Sequence, residues 1–182
     1  RSRPAGGIRG TLSTSHRDGT MLSLAVAMEV SSVTTWAQLD QGWVPLDEGT
    51  IAGAAEQVLR GALPHVDFTY PYSGALPFYH AIALRLFGVT LMASRYALFA
   101  AFLLWLPAVW WLARRACGNP WSALLTIVAA WWSVTVYSAA RPRWFLLYFA
   151  TAVVVAFEAL HPTGLPRRLV VAGGGGRHAL LV

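Results

Sequence analysis

The 182-residue chain has no lysine, one cysteine and few charges of either sign. All fourteen cationic side chains are arginine, so the net charge of +6 resides on guanidinium groups. The lone cysteine, Cys117, excludes an internal disulfide and a cysteine-rich metal site. Only 12% of the residues are charged, about half of what a soluble domain carries. There is no Ser/His/Asp set. The glycine run at 173–176 lacks the Lys-Ser/Thr that completes a phosphate-cradling loop.

Apolar residues fill the space the charges leave. The chain is 56% hydrophobic and 13% aromatic, with a mean hydropathy of +0.50. Residues 96–113, 116–140 and 144–157 carry no formal charge, and the first two runs, at 18 and 25 residues, are long enough to cross a hydrocarbon core as helices. The arginines cluster at the ends of such runs. In a soluble protein this basicity would suggest nucleic acid; here it points to orientation in a lipid bilayer. The expected fold class is an all-α, polytopic membrane protein without a nucleic-acid partner.

A first, weaker span covers residues 21–39, with Glu29 at its centre. That carboxylate is costly in lipid unless it faces other helices, and it interrupts the apolar core a cleavable signal would need. Residues 40–74 hold five of the eight acids, Asp40, Asp47, Glu48, Glu56 and Asp67, against one base, Arg60. Within them DEGTIAGAAEQVLRG reads as a short amphipathic helix, with Ile51, Ala55, Val58 and Leu59 on one side and a Glu56–Arg60 pair. Residues 76–88, LPFYHAIALRLFG, are too short to cross and contain Arg85, so they read as an interfacial or re-entrant helix. Spans at 96–113, 121–139 and 144–160 then place the N-terminal arginines, Arg114, Arg115, Arg167 and Arg168 on one side, as the positive-inside rule requires.

The expected organisation is a cytoplasmic tail at 1–20, a membrane domain at 21–168 with an outer loop at 40–95, and the start of a truncated further helix at 169–182. Asp47 and Glu48 stand at the outer edge. There an acid can deprotonate a nucleophile or hold a cation, and a neighbouring acid can raise its pKa or add a ligand. Equally, Asp47 suits a helix N-cap and Glu48 a first helical turn. His65 and Asp67, two apart, offer too few ligands for zinc. His80 lies on the short helix, and Glu158 near the inner end of its span. An ion path through a transporter would put functional charges within the spans, yet most acids sit in one outer loop.

The ordered set of features after the first span resembles the N-terminal part of the GT-C glycosyltransferases, in particular the protein O-mannosyltransferase and lipid A aminoarabinose transferase superfamily. The matching residues are the acidic pair Asp47 and Glu48, a helix ending in glycine, and Gly61, Pro64 and Asp67 in a Gly-x-x-Pro-x-x-Asp stretch. GALPFY, LFG at 86–88, Arg95 opening the next span and the double arginine Arg114-Arg115 closing it complete the set. The likeness covers roughly residues 21–170.

It implies about four transmembrane helices of a GT-C fold and an inverting transfer of a sugar from a polyprenyl-phosphate donor on the non-cytoplasmic face. The acceptor would be a glycan, a lipid or a protein. Carried over, Asp47 is the candidate base, Glu48 a candidate to orient it, and Asp67 a second acidic position. Asp47 and Glu48 are also candidate ligands for a divalent cation such as magnesium or manganese. Arg141, Arg143, Tyr72 and His65 are the candidate substrate-binding residues, the arginines meeting the leaving phosphate. Tyr72 stands near a position that is basic in the family, and Ala75 replaces a proline. The many further helices and the distal domain of that superfamily are missing here, which implies that this length of chain is inactive alone. The expected location is the plasma membrane, multi-pass, with a cytoplasmic N-terminus; the alternatives are a transporter segment or a non-catalytic scaffold.

Overall fold

The computed structural model describes residues 8–42, 44–135 and 141–160. The expectations for the extreme N-terminus, Arg167, Arg168 and the glycine tract fall outside these residues. Among the described residues the elements are all helical: α1 (Ile8–Gln38), α2 (Pro45–Leu59), α3 (Ala75–Phe87), α4 (Leu91–Ala116), α5 (Asn119–Ala130) and α6 (Pro142–Leu160). A five-residue π-type segment, Trp131–Thr135, extends α5 and breaks at Ser133, where φ is −93° and ψ −117°. Two helices, α4 and α6, are long and apolar enough to cross a membrane. The expected tail at 1–20 is in part helix, because α1 already begins at Ile8. Up to residue 135, the last described before 141, the third expected span is two pieces, α5 and the π-type segment; its residues 136–139 lie outside the described residues.

Four helices alternate in direction, and their ends identify two poles. At one pole Asn119 donates to Thr20 Oγ1 at 3.3 Å, and Arg115 pairs with Glu158 at 2.5 Å. Here α4 and α6 end and α5 begins. At the other pole Arg95, near the start of α4, reaches the backbone just after α1, while Arg141, just before α6, reaches α2. The second pole gathers Asp47, Glu48 and the loops around α2 and α3. The α3 helix packs on α2 and α4 and does not add a fifth antiparallel member. Gly88 ends it at φ 87° and ψ 163°, a conformation open essentially to glycine alone, and so turns the chain sharply into α4.

Two of the helices, α1 and α5, meet their neighbours through small side chains. The inward residues of α1 are Ser23, Ala27, Ser31 and Thr35, and those of α5 are Ser122, Ala123, Thr126 and Ala130. Small side chains let helix backbones approach closely, and the hydroxyls of Ser23, Ser122 and Thr126 bond within their own helices, Thr126 to the Ser122 carbonyl at 2.8 Å. Large apolar residues also point outward: Leu124 and Val128 on α5, Trp132 on the π-type segment, and Leu146, Phe149, Val153 and Phe157 on α6. Apolar surface of this extent marks a face that meets lipid or another protein. The larger core side chains, Leu98, Phe102, Trp105 and Leu106 of α4 with Val134 and Tyr148, form the central cluster. A second cluster, Ala55, Ala81, Leu84 and Ala93, seats α2 and α3 against the head of α4.

Candidate functional site

The adjacent acids Asp47 and Glu48 go to different places. Successive residues of a helix point about 100° apart, and α2 turns Glu48 into the protein and Asp47 toward a cleft. Glu48 is fully buried, and its two oxygens take Nε and Nη2 of Arg95 at 2.6 and 2.9 Å. Arg95 also donates to the carbonyls of Leu39, Gln41 and Gly42, at 2.7, 2.9 and 2.6 Å. Glu48 Oε2 accepts from the Val44 backbone at 3.2 Å. Val44, not Asp47, is the N-cap of α2, with proline following it. This one arginine thus gathers the end of α1, the next loop and α2 around the first turn of α4.

Asp47 faces outward from that knot into a cavity of about 970 Å³. Its Oδ2 lies 2.7 Å from Arg141 Nε, and the two side chains keep 27% and 23% of their surface exposed. The cavity's polar end is built by Asp47, Tyr72, Ser73, Arg141 and Arg143. From there it becomes an apolar groove between Ala101, Leu104, Trp105 and Ala108 of α4 and Phe145, Leu146, Phe149 and Ala152 of α6. The α4 positions recur at helical spacing, so they line one face. Ala108 is thirteen residues beyond Arg95, about 20 Å along the helix axis. Leu104, Leu146 and Phe149 in the walls are 79%, 68% and 70% exposed, so the groove opens at the outer surface of the bundle.

Of the expected site residues, Asp47, Tyr72, Arg141 and Arg143 therefore meet at one cavity, whereas Glu48, His65 and Asp67 do not line it. Asp67 closes a turn by accepting from the Leu63 backbone at 2.7 Å. His65 adopts φ 65° and its Nε2 lies 3.0 Å from the Tyr72 carbonyl, so it holds the loop that presents Tyr72. Tyr70, between them in sequence, stacks its edge against Tyr72, and burial pushes its hydroxyl up to about 12. The Gly-x-x-Pro-x-x-Asp stretch is a folded turn beside the site.

Five aromatic contributors to the cavity escaped the sequence reading: Tyr79, Trp105, Phe145, Tyr148 and Phe149. Tyr79 donates to the Ala97 carbonyl at 2.8 Å, and Trp105 to Thr151 Oγ1 at 3.0 Å. Their only signal was helical spacing within apolar runs, which any core position shares.

Among the described residues no three His, Cys, Asp or Glu side chains converge as a metal site. Magnesium and manganese call for oxygen donors. Glu48 is held by Arg95, and Asp47 alone in the cavity already faces a guanidinium. That donor set does not fit a cation site built by the described side chains alone.

His80 is wholly buried beside the cavity. Its ring lies edge-on to Phe145 at 5.2 Å, and neither nitrogen has a hydrogen-bond partner. Desolvation lowers its pKa to about 4 from 6.5. Between these values the unfolded chain binds the proton and the folded chain does not. Stability from His80 is therefore complete above pH 6.5 and falls as the pH drops toward 4, by on the order of 3 kcal/mol. Thermal unfolding in lipid nanodiscs across this range, comparing wild type with His80→Phe, should show a flatter pH dependence in the variant. Parallel curves would rule out His80 as its source.

The comparisons add no relative: no protein-family model, no curated protein and no solved structure matches this chain.

Proposed function

We propose that the chain is the N-terminal part of a membrane glycosyltransferase of the GT-C kind, with α1, α4, α5 and α6 as four spans and α2 and α3 in the first outer loop. The observation that carries this reading is a cavity with Asp47, Arg141 and Arg143 at one end and an apolar groove leading away from them. Such a shape suits a donor with an anionic head and a long hydrocarbon tail. The outward-facing large apolar residues and the alternating helix directions support the four-span arrangement.

In this reading a polyprenyl-phosphate sugar lies with its tail in the α4/α6 groove and its phosphate at Arg141 and Arg143. Asp47 takes the proton of an acceptor hydroxyl as that oxygen attacks the anomeric carbon. The bond from that carbon to the phosphate oxygen breaks, and the electron pair leaves with the phosphate, whose charge the guanidinium groups receive. Attack opposite the leaving group inverts the anomeric configuration. Arg141 is shared: it holds Asp47 in the unliganded protein and turns to the phosphate in the complex. Glu48 contributes by fixing α2, and through it Asp47, against Arg95.

The test is transfer of labelled sugar from polyprenyl-phosphate donors by membranes carrying the full reading frame, with and without the Asp47 carboxylate. Carboxylate-dependent transfer supports the reading. Donor-independent behaviour of both forms would favour a scaffold.

A further inference from the structure

We propose that the outward face of α1 is a docking surface for a second membrane helix bearing one basic side chain at mid-depth. The inference rests on α1 as a span and is independent of the transfer chemistry.

The buried stripe of α1 is Ser23, Ala27, Ser31 and Thr35. Diametrically opposite run Leu22, Val26, Glu29 and Val33, spaced four, three and four residues apart. This is the alternation by which one helix seats against another. Leu22, Val26 and Val33 are 66%, 44% and 57% exposed, and Glu29 is exposed among them. The glutamate thus lies on the side turned away from the bundle, where the sequence reading required it to face other helices.

Its depth follows from the two poles. Thr20 is level with the start of α5 through its contact with Asn119, and the Leu39 carbonyl is level with Arg95. Glu29 is nine residues from the first and ten from the second, about 14 and 15 Å at the helical rise. Together these span the roughly 30 Å of a hydrocarbon core, so Glu29 sits at its centre. None of its ion pairs or hydrogen bonds is with a described side chain, in contrast to Glu48, Glu56 and Glu158, each held by an arginine.

Charge chooses the occupant. Lipid tails offer a carboxylate nothing, and a second copy paired by a two-fold axis would set Glu29 against Glu29. A helix with an arginine at the same depth converts the isolated acid into a hydrogen-bonded ion pair while its apolar side chains cover Leu22, Val26 and Val33.

The experiment uses the full chain in phosphatidylcholine vesicles, labelled with a donor fluorophore at Cys117, its one cysteine. The probes are two acceptor-labelled polyleucine transmembrane peptides, one with a single central arginine and one without. Energy transfer to the arginine peptide should reach half-saturation at about tenfold lower peptide density, the size expected of one interhelical polar contact. Glu29→Gln should remove most of that preference; because residue 29 is exposed and the change is isosteric, the variant keeps its fold. Equal transfer to both peptides, or a preference unchanged by Glu29→Gln, overturns the proposal. So does Glu29-dependent transfer between copies of the protein itself, which would make the occupant a second copy. Protein stripped from the vesicles at alkaline pH would overturn the four-span reading and this proposal with it; inserted protein without the preference overturns this proposal alone.

Discussion

Arg95→Met is expected to destabilise the protein by about 3–5 kcal/mol, the range for removing one partner of a buried ion pair. The loss is large because the arginine serves four elements of structure at once. Without it Glu48 keeps a buried carboxylate that has lost its guanidinium, and the carbonyls of Leu39, Gln41 and Gly42 lose their shared donor. Glu48→Gln should cost less. The neutral amide needs no counter-ion, and Arg95 retains its three carbonyl acceptors. Combining Arg95→Met with Glu48→Leu should recover part of the loss, since paired removal of buried charges is far less costly than removal of one. Recovery stays incomplete because the three carbonyls remain without their donor. Denaturant unfolding in mixed micelles would measure the series. A cost below about 1 kcal/mol for Arg95→Met would mean that water replaces the guanidinium, and the knot would not organise the outer loops.

The sequence made the helices legible and left their partners illegible, for physical reasons visible at particular residues. Charge-free runs and arginine-rich ends identify α4 and α6, because a helix that satisfies its own backbone needs only length and apolarity to be recognised. The short α3 was readable by the same measure, from Pro77 to Gly88. The Glu48–Arg95 pair was not readable: 47 positions separate the two, and helical propensity says nothing about which distant charge an acid meets. A general clue existed, since an arginine at the head of an apolar helix calls for an anion. Adjacency misled in the other direction. Asp47 and Glu48 stand together in the chain, yet one α-helical step separates a cavity residue from a buried anchor. Asp67 and His65 were legible as polar residues but their partners were not: Asp67 accepts from the Leu63 backbone, as short acidic side chains in loops do, and His65 meets the Tyr72 carbonyl. Glu29 was recognised as costly, but the side it faces depends on which stripe of α1 packs, and a helix with small residues inside and valines outside reverses the expectation drawn from soluble proteins.

Asp47→Asn should abolish sugar transfer while leaving the fold intact, lowering kcat by about 10²–10⁴-fold, the usual contribution of a positioned general base. Asparagine has the same shape and suits the first turn of α2, so α2 and its anchor at Arg95 persist. What is lost structurally is one partly exposed ion pair with Arg141, worth on the order of 1 kcal/mol or less. The KM for the lipid donor should change little, because the tail groove and Arg143 are untouched and Arg141 is released to the phosphate. The pairing of results across the two adjacent acids is the decisive feature: Asp47→Asn removes activity and keeps stability, whereas Glu48→Gln removes stability and loses activity only with it. Transfer assays and unfolding curves on the same preparations separate the two outcomes. If Asp47→Asn transferred sugar at the wild-type rate, no carboxylate would remain among the described residues lining the cavity to serve as base. The proton would then have to leave by another route, and the chemistry assigned to the acidic pair would pass to a purely structural account in which Asp47, like Glu48, tethers α2 to an arginine.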